Sequence, residues 1–115
     1  MKNILITGAS GWLGINLINA FLNGIDIYPE THNLSKNIKI NVFIPKSEHD
    51  KLFKLFGNKI NYFYGDITSF DNCKDFLNNF DSGVLFHLVG IIHPKKISDL
   101  YNVNFQGTKN ICQNA

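Results

Sequence analysis

Three glycines spaced three residues apart, Gly8, Gly11 and Gly14, stand between two segments of opposite hydrophobic period. Residues 3–7 form a compact apolar run that reads as a β-strand. Residues 12–23 place Leu13, Leu17, Ile18, Phe21 and Leu22 at helical spacing, with Gly24 as the stop. A strand entering a helix through such a turn has a physical use for each glycine. Gly8 permits the tight turn, Gly11 lets backbone N–H groups approach a pyrophosphate, and Gly14 allows helix and strand to pack closely. The helix N-terminus adds partial positive charge where phosphates would lie. No Lys-Ser or Lys-Thr pair follows Gly14, which excludes the phosphate loop of ATP- and GTP-binding proteins.

The same alternation continues along the chain. Residues 39–44 read as a second strand ended by Pro45, and residues 47–56 as a helix with Ser47 as N-cap, closed by Gly57 and Asn58. Residues 59–64 and 83–89 read as the third and fourth strands, residues 70–80 as the third helix, and a last helix begins near residue 98. Four strands alternating with helices predict an α/β fold with a parallel sheet covered on both faces, because each crossover is right-handed and lays its helix on the sheet. The nearly continuous apolar character of the fourth strand points to burial on both sides. Residues 25–38 exceed the usual connection length and read as a surface insertion.

Composition narrows the classes further. With 44% apolar residues, 13% aromatic, 17% charged and a net charge of +2, the chain fits neither a disordered segment nor a nucleic-acid-binding polycation. All 11 basic residues are Lys, and Asn, Ile and Phe are abundant, a pattern that reads as coding bias. Cys73 and Cys112 are too few for a disulfide scaffold or metal cluster, and are expected to be reduced, partly buried small hydrophobes. Glycines and asparagines interrupt residues 1–21, so they do not read as a secretory signal. Residues 84–92, the longest uncharged apolar stretch, fall far short of the roughly 20 residues of a membrane span. A soluble cytoplasmic protein without nucleic-acid or membrane partners is expected.

The Gly-x-x-Gly-x-x-Gly turn resembles that of the extended short-chain dehydrogenases/reductases, the branch of NAD-dependent epimerases, dehydratases and reductases. Three further stretches carry the likeness: Gly65-Asp66-Ile67-Thr68, Phe86-His87-Leu88-Val89-Gly90, and Asn104-Phe105-Gln106-Gly107-Thr108-Lys109-Asn110. The resemblance implies a Rossmann-type sheet, truncated after about four βα units, forming one NAD(P)-binding domain over residues 1–115. It implies that Gly8, Gly11, Trp12, Leu13 and Gly14 hold the pyrophosphate. Asp66 would contact adenine through its carboxylate and Ile67 through its backbone, while Leu88, Val89 and Gly90 would line the cofactor. Val89 stands where the family usually has Ala, which would tighten the pocket wall. Asn104 would have a structural or proton-relay role near the nicotinamide ribose. Two simpler readings stand beside these: Asp66 as the cap of the following turn, and His87 as a packed, hydrogen-bonded core histidine.

Cofactor choice turns on the end of the second strand. NAD-binding relatives carry an acidic residue there, whereas this chain reads Val42-Phe43-Ile44-Pro45-Lys46-Ser47. Lys46 and Ser47 would attract a 2′-phosphate, a slight lean to NADP; the alternative makes Lys46 a solvated charge.

The family's Tyr-x-x-x-Lys pair is absent: Tyr28, Tyr62, Tyr64 and Tyr101 are followed four residues on by His32, Asp66, Thr68 and Phe105. The expectation is therefore the dinucleotide-binding part of a longer nucleotide-sugar epimerase, dehydratase or reductase, with His93, Lys95 and Lys96 in a loop toward a sugar nucleotide, and often dimeric. A non-catalytic dinucleotide sensor is the alternative. A third reading is a fragment that does not fold stably alone, because its fourth strand is an uncovered sheet edge.

Overall fold

A computed structural model describes residues 2–25, 28–89, 96, 98 and 101–115. Four strands, β1 (Lys2–Thr7), β2 (Ile38–Ile44), β3 (Asn61–Tyr64) and β4 (Val84–His87), form one sheet in the order β3-β2-β1-β4. Every pairing is parallel, with Ile4 opposite both Ile40 and Val84, and Val42 opposite Tyr62. The alternation of side chains along β1 and β2 divides the core in two. On one face Ile4, Ile6, Ile40, Val42 and Ile44 meet Ile18 of α1 (Trp12–Asn23) and Leu52 and Phe56 of α2 (His49–Phe56). On the other, Leu5 and Phe43 meet Cys73 and Phe76 of α3 (Phe70–Leu77) and Ile111 of α4 (Thr108–Asn114). The predicted doubly covered parallel sheet is thus what forms.

Local chemistry moves several predicted boundaries. Glu48 N–H donates to the Pro45 carbonyl at 3.0 Å, closing a 3₁₀ turn over Lys46–Glu48, so α2 starts at His49 and Ser47 caps nothing. The third helix stops at Leu77, short of residue 80. There the Asn79 amide takes the Asp75 and Phe76 carbonyls at 2.8 and 3.1 Å, the competition that asparagine offers a helix. Ser69 does cap α3, accepting from Asn72 N–H at 3.2 Å. The last helical region opens with a π-helical stretch, Tyr101–Gly107, before α4. Between α1 and β2 lie two short 3₁₀ turns, Pro29–Thr31 and Leu34–Asn37, against α1.

The fourth strand is shorter than predicted and only half-buried, because it is an edge of this four-stranded sheet; the buried centre is β1 and β2. Asn41, buried in the middle of β2, is paired on both sides of its amide: it donates to the Ile4 carbonyl at 3.3 Å and accepts from Asn61 at 3.0 Å. Both cysteines are free, but only Cys73 is buried; Cys112 is exposed, contrary to expectation. Burial pushes the Cys73 thiol up to about 11, which leaves it unreactive. No described helix is long and apolar enough to cross a membrane.

Phe76 anchors the second core, stacked on Phe43 at 4.9 Å between centroids and edge-on to Phe63 at 5.3 Å. Phe76→Ala is expected to cost about 3–5 kcal/mol in urea unfolding, whereas Phe53→Ala, at a half-exposed ring on α2, costs under about 1 kcal/mol.

Candidate functional site

Because the connection from β1 runs to β2 on one side while that from β3 crosses back to β4 on the other side of β1, a crevice opens at the strands' carboxyl ends. A cleft of about 420 Å³ lies there. Thr7, Gly8, Ser10 and Gly11 come from the glycine turn, Ile44, Pro45 and Glu48 from the end of β2, and Asp66 and Ile67 from beyond β3. Leu88 and Val89 follow β4, and Val103 reaches in from the π-helical stretch.

The three glycines do different work. Gly8 has φ 75°, and a Cβ there would stand 2.5 Å from Val89 N and 2.6 Å from the Leu88 carbonyl carbon. A Cβ on Gly14 would lie 2.4 Å from Gly8 O and 2.6 Å from Ala9 Cα, so α1 seats on the turn only through glycine. Gly11 is unlike both. Its backbone is extended, and its nearest Cβ contact would be an ordinary 3.4 Å to Gly8 O. The protein's own packing does not require glycine at position 11, yet that position lines the cleft.

Gly11 N–H itself closes the turn onto Gly8 O at 3.2 Å, and Ile15 N–H makes the first helical bond to Gly11 O. The N–H groups of Trp12, Leu13 and Gly14 therefore belong to the helix's first turn, with no carbonyl one turn back to accept them. They form the donor set that an anion beside Gly11 would meet. Trp12 and Leu13 are exposed at this end, and neither side chain lines the cleft. Lys51, on α2, braces the turn by donating to the Ser10 carbonyl at 2.7 Å.

Across the cleft, Asp66 does cap its own turn, with one carboxylate oxygen accepting from Thr68 N–H at 2.9 Å and from its hydroxyl at 2.7 Å. Asp66 nevertheless stays exposed along the cleft. The loop is held from below: Asn72 accepts Asp66 N–H at 2.9 Å, and buried Asn110 donates to the Ile67 carbonyl at 3.1 Å. His87 is bonded at both ring nitrogens, to Thr7 and Thr108, as the hydrogen-bonded reading expects, but it is half-buried rather than in the core. Lys46 and Ser47 are exposed and do not line the cleft. Glu48, absent from the sequence expectations, lines it, and burial pushes its carboxyl up while nearby Lys51 pulls it back. The signal available for it was a carboxylate one turn before Lys51, four residues past the strand's end. Gly90 and the loop residues His93 and Lys95 lie outside the described residues, and Lys96 is exposed. Among the described residues no cluster of three or more His, Cys, Asp or Glu side chains is placed to hold a metal ion.

Residues 5–115 match the family model of the 3-beta hydroxysteroid dehydrogenase/isomerase family. A sterol-4-alpha-carboxylate 3-dehydrogenase (decarboxylating) of Candida albicans is 34% identical over 116 residues, covering 96% of this chain and 30% of that protein. Among solved structures, Bordetella bronchiseptica WbmG in complex with NAD and UDP aligns with a TM-score of 0.72 at 22% identity, over 97% of this chain and 33% of that one. The UDP-Glc/GlcNAc 4-epimerase of Campylobacter jejuni aligns at 0.72 and 18%, over 99% and 33%. The structural likenesses are likenesses of fold. The chain spans about a third or less of the length of these proteins.

Gly11→Ala is expected to stay within about 1 kcal/mol of the parent in thermal unfolding, since its Cβ has room and its backbone is one alanine adopts. Gly14→Ala, which forces backbone apart, is expected to lose at least about 3 kcal/mol.

Proposed function

The chain belongs to the 3-beta hydroxysteroid dehydrogenase/isomerase family, within the extended short-chain dehydrogenases/reductases, and from that premise we propose that its cleft binds a nicotinamide dinucleotide. The observation that carries this reading is Gly11: a glycine that the fold does not need, beside the unpaired first-turn N–H groups of α1, at a switch-point cleft. Trp12, Leu13 and Gly14 would hold the pyrophosphate through backbone N–H. The unused oxygen of Asp66 would accept from the adenine amine, and the Ile67 backbone would meet the ring edge. Leu88 and Val89, with Gly90 after them, would exclude water from the nicotinamide half, and Asn104 would stand near its ribose. When bound, the dinucleotide supplies a hydride acceptor or donor.

The lean to NADP rests on Lys46 and Ser47 together with a missing carboxylate. Glu48 supplies a carboxylate in the cleft, where it would accept from ribose hydroxyls and repel a 2′-phosphate, so we read the site as favouring NAD.

For the whole protein the proposed reaction is hydride transfer at a secondary alcohol, with the residues 1–115 as its dinucleotide-binding domain. The general base that this needs, a Tyr with a Lys four residues on, does not occur in these 115 residues. A hydroxysteroid-like alcohol is favoured as substrate by the sequence relative at 34% identity. A nucleotide sugar, the class expected from the motifs, is the second reading, supported by neighbours that bind UDP or act on UDP-sugars. Cytoplasmic location and a homodimer complete the proposal.

Trp12 is the sole tryptophan and sits at the first turn of α1, so it reports on the site directly. NADH is expected to quench its emission and to raise the melting temperature. Gly11→Val is expected to abolish both effects by filling the anion's approach, and Glu48→Gln to narrow the NAD-over-NADP preference about tenfold. An unchanged melting temperature with either dinucleotide counts against the reading.

A further inference from the structure

The two walls of the cleft are joined beneath its floor by one continuous chain of hydrogen bonds, and counting donors fixes its direction. Thr108 donates its hydroxyl proton to the Asn104 carbonyl at 2.7 Å, so toward His87, at 2.9 Å from Nε2, it accepts. The neutral ring therefore carries its proton on Nε2, and Nδ1 accepts from the Thr7 hydroxyl at 2.6 Å. Thr7 Oγ1, in turn, accepts Leu88 N–H at 3.2 Å, a bond that Leu88 shares with the Thr7 carbonyl at 3.0 Å. Thr7 and Leu88 line the cleft on one side, and the π-helical stretch that holds Asn104 sends in Val103 on the other. Among the described residues His87 links them in this chain of bonds, and Thr7 is 1% exposed.

We propose that His87 is a positioning residue which locks these two walls in one hydrogen-bond register, and that dinucleotide affinity falls when the ring gains a proton. The second clause rests on the dinucleotide reading of the cleft; the first stands without it. A doubly protonated ring presents an N–H to Thr7 Oγ1, whose lone pairs then take both that donor and Leu88 N–H, and the hydroxyl proton of Thr7, a residue 1% exposed, loses its acceptor. Relieving that orphaned donor shifts the Thr7 hydroxyl at its junction with Leu88, and both residues line the cleft. Geometry and burial agree, since burial alone holds the His87 pKa below its ordinary value. The groups facing it are Thr7 on β1, Thr108 on α4 and the Asn104 carbonyl. Neither Lys2 on β1 nor Lys109 on α4 contributes to that shift, and α1 carries no charged residue. With the folded pKa lowered, the unfolded chain binds more protons below about pH 6.5, so acidification through that range costs stability as well as affinity.

The test compares NADH binding by the full chain, read by Trp12 quenching from pH 7.5 to 5, in the parent, His87→Gln and His87→Phe. Glutamine keeps one donor and one acceptor and does not titrate, whereas phenylalanine fills the space and leaves both threonines without the ring. Expected are a dissociation constant that rises up to tenfold per pH unit at the acid end in the parent, a flatter profile for His87→Gln, and weak binding at every pH for His87→Phe. The carboxyl groups of Glu48 and Asp66 also line the cleft; parallel parent and His87→Gln profiles would assign the pH dependence elsewhere and overturn the proposal. Parent-like affinity in His87→Phe overturns it too. If the parent does not bind NADH at pH 7.5, the dinucleotide reading has failed, and the ligand-free melting curves decide the first clause. A parent midpoint that falls on acidification more steeply than that of His87→Gln upholds the lock, and parallel curves refute it.

Discussion

The backbone of Gly8 approaches the Leu88–Val89 peptide so closely that a single Cβ would stand 2.5 Å from Val89 N, and the rest of the site depends on that approach. It brings the end of β1 against the end of β4, where Leu88 N–H bonds to Thr7. With that junction made, α1 must leave across the opposite face of the sheet, seated on Gly14, and its first turn comes to lie beside the cleft. Steric closeness in one place thus decides both the direction of a helix and the location of a positive helix end.

Besides Lys51 and the Asp66 carboxylate, uncharged groups organise the site. Asn72 holds Asp66 N–H, Asn110 holds the Ile67 carbonyl, and the threonine–histidine chain holds the two walls. Buried amides and hydroxyls are fixed in direction by their donor and acceptor counts, and they avoid the desolvation cost of a buried charge. A net charge of +2 is compatible with an anionic ligand for that reason: helix N–H groups would meet the phosphates without an excess of basic side chains. Asparagines that look like compositional bias along the chain acquire specific tasks at positions 41, 72 and 110.

The segments whose patterns were unambiguous were legible in advance. The strand–turn–helix over residues 3–23 forms nearly as read, because strand alternation, helical spacing and the glycine stop all agree there. Agreement was lost where a local bond outcompeted the pattern. The Pro45 carbonyl captures Glu48 N–H and delays α2, and the Asn79 amide captures carbonyls that would have continued α3. The apolar run of β4 was read as a central strand, but apolarity reports how a strand is used in the whole sheet, and among the described strands it has one neighbour. Glu48 was illegible for a related reason. A carboxylate beyond a strand end looks solvated until the 3₁₀ turn that follows Pro45 brings it to the cleft.

By itself the sequence determined the alternating α/β architecture, the glycine turn and the family, because hydrophobic period and glycine spacing are local properties of a chain. Only the tertiary structure decided which glycine serves the fold and which is left over for a ligand, since that depends on what a Cβ would meet across the turn. Only the tertiary structure, too, turned His87 from an isolated residue on an apolar strand into the link between two walls of a cleft. Thr7 and Thr108 lie 101 residues apart in sequence, and a single imidazole ring spans them because parallel pairing and helix packing bring β1, β4 and α4 together.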